Sequence, residues 1–227
     1  MAQGILIVGE SGSGKSTSIE KLNPKETFII NVSGKSLSFK GWRKNYIEWS
    51  KDIPDGNLFK SSDHKAIEAC MKYVSEKRPE IKNLVVDDWQ YMSAFEFFDR
   101  SDEKGFDKFT QIGSALAKIS RLPMKLRDDL MVFFLTHSEE GTDIEGRKRY
   151  KAKTIGKLID DKLTLEGLFT IVLFCKAKKD KEGKINYVFE TQNSGDNTCK
   201  SPKDMFESTS IPNDLSLVRQ AILDYEN

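Results

Sequence analysis

Short apolar runs recur at residues 5–8, 28–32, 84–86, 131–135 and 169–174, with stretches of helical periodicity between them. Each run is continuous rather than alternating, the pattern of a strand covered on both faces. Strands separated by helices predict an α/β fold with a mostly parallel central sheet flanked by helices. Segment 185–190 follows the turn-like KDKEGK and is expected to pair with the preceding run as a C-terminal hairpin. Helices are expected over 63–76, over 109–126, where Ile112, Leu116 and Ile119 share a face, and over 215–225. Asn213 and Asp214 are cap candidates for the last of these. No internal repeat or low-complexity linker breaks the pattern, so residues 1–227 read as a single domain.

The first strand leads into chemistry. Gly9-Glu10-Ser11-Gly12-Ser13-Gly14-Lys15-Ser16 matches the Walker A pattern G-x-x-x-x-G-K-[ST] at every fixed position, and residues 16–22 can continue as a helix. Glycines let the backbone turn so that successive N–H groups converge on a phosphate, and a helix N-terminus adds its positive end. The expected nucleotide-binding set is Gly9, Ser11, Gly12, Ser13, Gly14, Lys15, Ser16 and Thr17. Within it Lys15 would reach the β and γ oxygens, and the Ser16 hydroxyl would ligate Mg²⁺.

A metal-bound triphosphate also needs a carboxylate at the end of a neighbouring strand. Asn83-Leu84-Val85-Val86-Asp87-Asp88 supplies two acids, of which Asp87 is expected to hold the magnesium. Asp88 is either the general base for an attacking water or the cap of a helix beginning at Trp89. Trp89, Tyr91, Phe95, Phe97 and Phe98 suit either stacking on bases or packing in a core or interface. The run 131–135 ends in Thr136-His137-Ser138, which puts Thr136 or His137 at a strand tip where a polar group can sense a terminal phosphate or orient water. Lys15, Asp88 and Thr136 form the expected catalytic set. Ser138 lies in no G-x-S-x-G elbow, so a serine hydrolase is not supported, and His64 reads as a surface residue.

Charge refines this picture. The 36 Lys+Arg against 35 Asp+Glu give a net charge of +1, which excludes coating of nucleic acid by bulk positive potential. Residues 147–184 nevertheless carry 12 Lys/Arg against 5 Asp/Glu, densest at Arg147, Lys148, Arg149, Lys151 and Lys153. A basic loop holding one aromatic, Tyr150, suits contacts to the phosphates of single-stranded DNA, and also suits a solvated charge run. Opposing acids at Glu139, Glu140, Asp143 and Glu145 favour a mobile loop. Cys70, Cys175 and Cys199 are too scattered for a disulfide framework and lack zinc-site spacing. The N-terminus has no basic n-region or cleavage site, and the longest apolar stretch, 168–175, falls short of the roughly 18 residues of a membrane span. A cytoplasmic protein with no membrane partner is expected.

The phosphate loop, the VVDD strand, the Thr-His strand end and the segments TQNSGDNTCKSP at 191–202 and NVSGKSLSFKGW at 31–42 together resemble phage-encoded ATP-binding proteins of the RecA-like P-loop class. Within that class the sequence is similar to Sak-type single-strand-annealing proteins of phage recombination. The resemblance implies a RecA-like P-loop NTPase fold, ATP and Mg²⁺ as cofactors, and self-association into a ring or filament. It also implies single-stranded DNA as partner, in recombination or replication in the host cytoplasm. On that pattern residues 138–153 take the place of a DNA-binding loop. Lys200 is either a trans-acting cation on a neighbouring subunit's terminal phosphate or an exposed loop lysine.

One departure matters. RecA carries its catalytic glutamate at the end of the strand after the phosphate-loop helix, where this chain reads Asn31-Val32-Ser33-Gly34. Hydrolysis therefore rests on Asp88. Two functions follow: a Mg-dependent ATPase acting on single-stranded DNA, and a nucleotide-gated binding or assembly module with little turnover. A small-molecule kinase is less well supported, since neither an Arg-rich lid nor an acceptor pocket is apparent.

Overall fold

Among the described residues nine strands form the sheet: β1 (Gln3–Gly9), β2 (Thr27–Asn31), β3 (Leu58–Lys60), β4 (Asn83–Asp87), β5 (Met131–Thr142), β6 (Lys148–Ala152), β7 (Ile171–Lys179), β8 (Ile185–Glu190) and β9 (Ser210–Pro212). The computed structural model describes residues 1–142, 145–156, 161 and 163–226. The strand order is β3-β2-β4-β5-β1-β7-β8-β9, with β6 attached to β5. From β3 to β7 every neighbouring pair along this order is parallel. Among the named strands, antiparallel pairing joins β5 to β6 and runs along the β7–β8–β9 edge, where the expected hairpin forms. Helices α1 (Trp42–Asn45), α2 (His64–Lys77), α3 (Tyr91–Asp99), α4 (Asp107–Arg121) and α5 (Leu215–Glu226) connect and flank the strands.

The continuous apolar runs are explained by a core on each face. Leu6, Val8, Ile30, Val86 and Phe134 pack with Met71 and Val74 of α2 and Leu116 and Ile119 of α4. Ile5, Ile7, Ile29, Val85 and Phe133 pack on the other face with Leu215, Val218 and Ile222 of α5. Each such side chain, fully buried, contributes about 1.5–3 kcal/mol. Register then aligns the chemistry, because Gly9 lies opposite His137 and Asn31 opposite Asp87. The phosphate loop, the two acids and the Thr-His tip thus share the carboxyl edge of the parallel strands, where open α/β sheets take their ligands.

Several elements differ from expectation for local reasons. Instead of a helix over 16–22, only a 3₁₀ turn forms over Ser16–Ile19. The Ser18 hydroxyl donates back to the Lys15 carbonyl at 2.5 Å, a local bond that competes with helical pairing. The chain must also turn at Pro24 to enter β2. α4 stops at Arg121 and continues as a 3₁₀ turn containing Pro123, which cannot donate a backbone hydrogen bond. β5 outruns its apolar segment, and Ser138–Thr142 pairs with Lys148–Ala152. No described helix is long and apolar enough to cross a membrane.

Candidate nucleotide-binding site

The loop after β1 is tightly packed from behind. A Cβ at Gly9 would lie 2.6 Å from the Cys175 carbonyl oxygen, so that position has no room for a side chain. Gly14 has φ +95°, and its Cβ would lie 2.6 Å from the Asn213 amide nitrogen and 2.8 Å from the Tyr187 ring. The Asn213 amide donates to the Gly14 carbonyl at 2.8 Å, and the Cys175 thiol donates to the Ser13 carbonyl at 2.9 Å. Burial pushes that thiol up to about 11, so it remains a protonated donor. Of the two cap candidates only Asp214 serves α5, accepting from the Ser216 N–H at 2.9 Å, while Asn213 braces the loop.

Lys15 is buried and curls over the loop, donating to the carbonyls of Gly9 at 2.9 Å and Glu10 at 2.8 Å. Burial lowers its pKa, and Cys175, Asp88 and Asp87 oppose that shift. A lysine held only by neutral carbonyls keeps its charge for an arriving anion. The Ser16 hydroxyl donates to Asp87 Oδ1 at 2.9 Å across the gap from loop to β4. Burial, followed by the charge of Asp88, raises the Asp87 carboxyl to about 6, against the pull of Ser16, Lys15 and Lys35. This hydroxyl and carboxylate suit a hard cation that completes its shell with water and phosphate oxygens, as Mg²⁺ does. Among the described residues no group of three or more His, Cys, Asp or Glu could hold a metal ion.

Asp88 leaves the strand at φ +57°, a left-handed conformation unusual for a non-glycine residue. Its Oδ2 pairs with the Lys35 ammonium at 2.8 Å and its Oδ1 lies 3.4 Å from His137 Nε2. Burial opposes ionisation of this carboxyl. Hydrogen bonds from His137 and Lys35, with one from Ser33, outweigh it and hold the group well below the usual carboxylate range. The helix-cap alternative is not what forms, since α3 begins after Gln90 with no side-chain cap bond. Of the two strand-tip candidates, His137 sits beside Asp88. Thr136 is fully buried, and its hydroxyl has no hydrogen-bond partner among the described residues.

Lys35 is absent from the sequence-derived set. It stands on the turn after β2, where the Asn31 side chain accepts from the Gly34 N–H at 3.0 Å and donates to the Lys35 carbonyl at 2.5 Å. The only local signal is Ser-Gly-Lys following a strand. Gln90 was also missed; its side-chain oxygen accepts from the His137 N–H at 3.4 Å.

A cavity of about 1040 Å³ opens beside the loop, lined by Glu10, Ser11, Lys35 and His137, by Tyr91, Phe97 and Phe98 of α3, and by Lys153 to Gly156. The aromatic cluster divides accordingly. Trp89 is buried against Phe134, Phe95 packs on Tyr91, and Phe98 is 67% exposed. Within the basic stretch, expected as a loop, Lys148–Ala152 pair as β6. Lys148 meets Glu140 at 3.0 Å, Lys151 meets Glu139 at 3.2 Å and, just before the strand, Arg147 meets Glu145 at 3.0 Å. Arg149 donates to the Asn197 carbonyl at 3.2 Å. The β5–β6 register sets Glu139 directly opposite Lys151, and the three ion pairs offset part of the local excess of positive charge. Asp143 lies outside the described residues. Lys200 forms a backbone bridge with Val172 of β7 and is half-buried, so it is not an exposed loop lysine. His64 is likewise not a plain surface residue, since its Nδ1 meets Glu96 of α3 at 3.1 Å.

The AAA domain family model matches residues 1–202. The chain belongs to that AAA family. Membership makes it a nucleotide-binding domain of the P-loop ATPase class, and the mostly parallel sheet flanked by helices is the fold expected of an AAA domain. No curated protein matches the chain.

Proposed function

We propose that this AAA domain binds ATP with Mg²⁺ and hydrolyses it while acting on single-stranded DNA, the whole chain working as one P-loop unit within a self-assembled ring or filament. The observation that carries the nucleotide reading is the Ser16–Asp87 bond at 2.9 Å alongside Lys15, a hydroxyl, a carboxylate and a cation gathered at one loop. In this reading the backbone of 9–14 cradles the phosphates and Lys15 exchanges its carbonyl partners for phosphate oxygens. Ser16 and Asp87 would hold the magnesium, which supplies neutralising charge to the phosphates when bound. Asp88 orients or deprotonates the attacking water. Replacing Lys15 by Ala should abolish nucleotide binding, measured by isothermal titration; retained wild-type affinity would refute the assignment.

The DNA reading is supported by the cavity beside the loop, whose lining includes Phe97, Phe98 and Lys153. Stacking on such faces contributes about 1–3 kcal/mol per base. Resemblance to Sak-type annealing proteins adds the setting of phage recombination or replication. A second reading is favoured by one observation: both oxygens of Asp88 are engaged, by Lys35 and His137, so an attacking water must compete with them. Under it the domain is a nucleotide-gated assembly module with little turnover. Phosphate release with and without single-stranded DNA separates the two, because DNA-stimulated turnover belongs only to the first.

A further inference from the structure

We propose that Lys35 is a catalytic cation of this site, leaving Asp88 for the terminal phosphate of a bound triphosphate; this rests on the nucleotide reading above. The ammonium sits where such a transfer is possible. It pairs with Asp88 at 2.8 Å and lines the same cavity as Glu10 and Ser11 of the phosphate loop. Asp88 follows Asp87 in the chain, and Asn31 at the base of the Lys35 turn lies opposite Asp87 in the sheet. The turn that carries Lys35 is built for this aim, with Gly34 at φ +71° and Asn31 bonded to both sides of the turn. Tyr91 flanks the ammonium, its ring centroid 5.6 Å away.

The pair is asymmetric. The Lys35 side chain is 65% exposed, whereas the Asp88 carboxylate it meets is buried. A cation half in solvent on a braced turn can swing between two anions at small cost. A triphosphate brings more negative charge than one carboxylate, so its arrival draws Lys35 away from Asp88. That movement frees Asp88 Oδ2 for water. The water oxygen then bonds to the terminal phosphorus as the bond to the bridging oxygen breaks, the proton passes to Asp88, and the bridging oxygen leaves on the diphosphate. Lys35 thereby supplies in cis the charge that other phosphoryl-transfer sites take from an arginine finger. It also reconciles the occupied state of Asp88 with turnover.

The test compares wild type with Lys35→Ala and Lys35→Arg by two readouts. One is phosphate release; the other is affinity for fluorescent tri- and diphosphate nucleotides with Mg²⁺. Lys35→Ala should lower turnover about a hundredfold or more. It should also erase about tenfold of the preference for triphosphate over diphosphate, and Lys35→Arg should restore part of both. Lys35→Ala leaves the buried Asp88 carboxylate short of a partner and should also lower the melting temperature, whereas Lys35→Arg should keep it close to wild type, so the nucleotide preference of folded protein is the deciding readout. If Lys35 only clamps Asp88, Lys35→Ala will instead raise turnover and leave nucleotide preference unchanged, which overturns the proposal. A wild-type protein that binds no ATP would overturn the parent reading along with it. Wild-type binding with an indistinguishable Lys35→Ala variant overturns this inference alone.

Discussion

Substituting Gly14 by Ala tests whether the C-terminal segment shapes the phosphate loop. The new methyl group meets two penalties. An alanine forced to φ +95° is strained by about 1–2 kcal/mol. Its Cβ would also stand 2.6 Å from the Asn213 amide and 2.8 Å from the Tyr187 ring, an overlap costing about 1–3 kcal/mol as neighbours shift. The sum is about 2–5 kcal/mol, enough to lower the melting temperature by at least about 4 °C in a domain of this size. Asn213 can retreat only by giving up its 2.8 Å bond to the Gly14 carbonyl, so nucleotide affinity should fall as well. Calorimetry and nucleotide titration of Gly14→Ala, Tyr187→Ala and the double variant form the assay. Removing the Tyr187 ring should recover about 1 kcal/mol of the Gly14→Ala loss, a coupling that distant residues would not show. Strict additivity of the two changes would refute the claim that β8 backs the loop.

Other outcomes follow from the same geometry. Phe134→Ala, which empties a site walled by Trp89 and Phe169 ring centroids at 5.1 and 5.5 Å, should cost about 3–5 kcal/mol in urea unfolding. Cys175 should resist thiol reagents in the native state, being buried with its pKa pushed up to about 11, and should react on unfolding. Cys175→Ala should lose about 0.5–1.5 kcal/mol through the orphaned Ser13 carbonyl. For single-stranded DNA, fluorescence anisotropy should show a larger loss of affinity for Phe98→Ala or Lys153→Ala, which face the cavity, than for Lys148→Ala, whose charge is already matched by Glu140.

Much of the fold was legible because the strands at the centre of the sheet are buried on both faces and therefore apolar without interruption. β1, β2, β4, β5 and β7 all announce themselves this way. α3 was legible only as one alternative, a helix beginning at Trp89, because its aromatic residues line a cavity and carry no clean helical stripe. β6 was missed because its residues are charged and half-exposed, and its strand character comes only from pairing with the extension of β5. The phosphate loop and Asp87 were legible from spacing, since their chemistry fixes residue types at fixed intervals. Lys35 was not, because it reaches Asp88 only after β2 and β4 pair in register, with Asn31 opposite Asp87.

The most direct test of the central claim is isothermal titration of ATP in the presence and absence of Mg²⁺, on wild type, Lys15→Ala and Asp87→Asn. Wild type should bind saturably and more tightly with the metal. Lys15→Ala should lose that binding, and Asp87→Asn should bind with no difference between the two conditions. A Lys15→Ala variant that binds ATP as wild type does, or an Asp87→Asn variant that keeps the full magnesium dependence, would contradict the placement of nucleotide and metal at this loop.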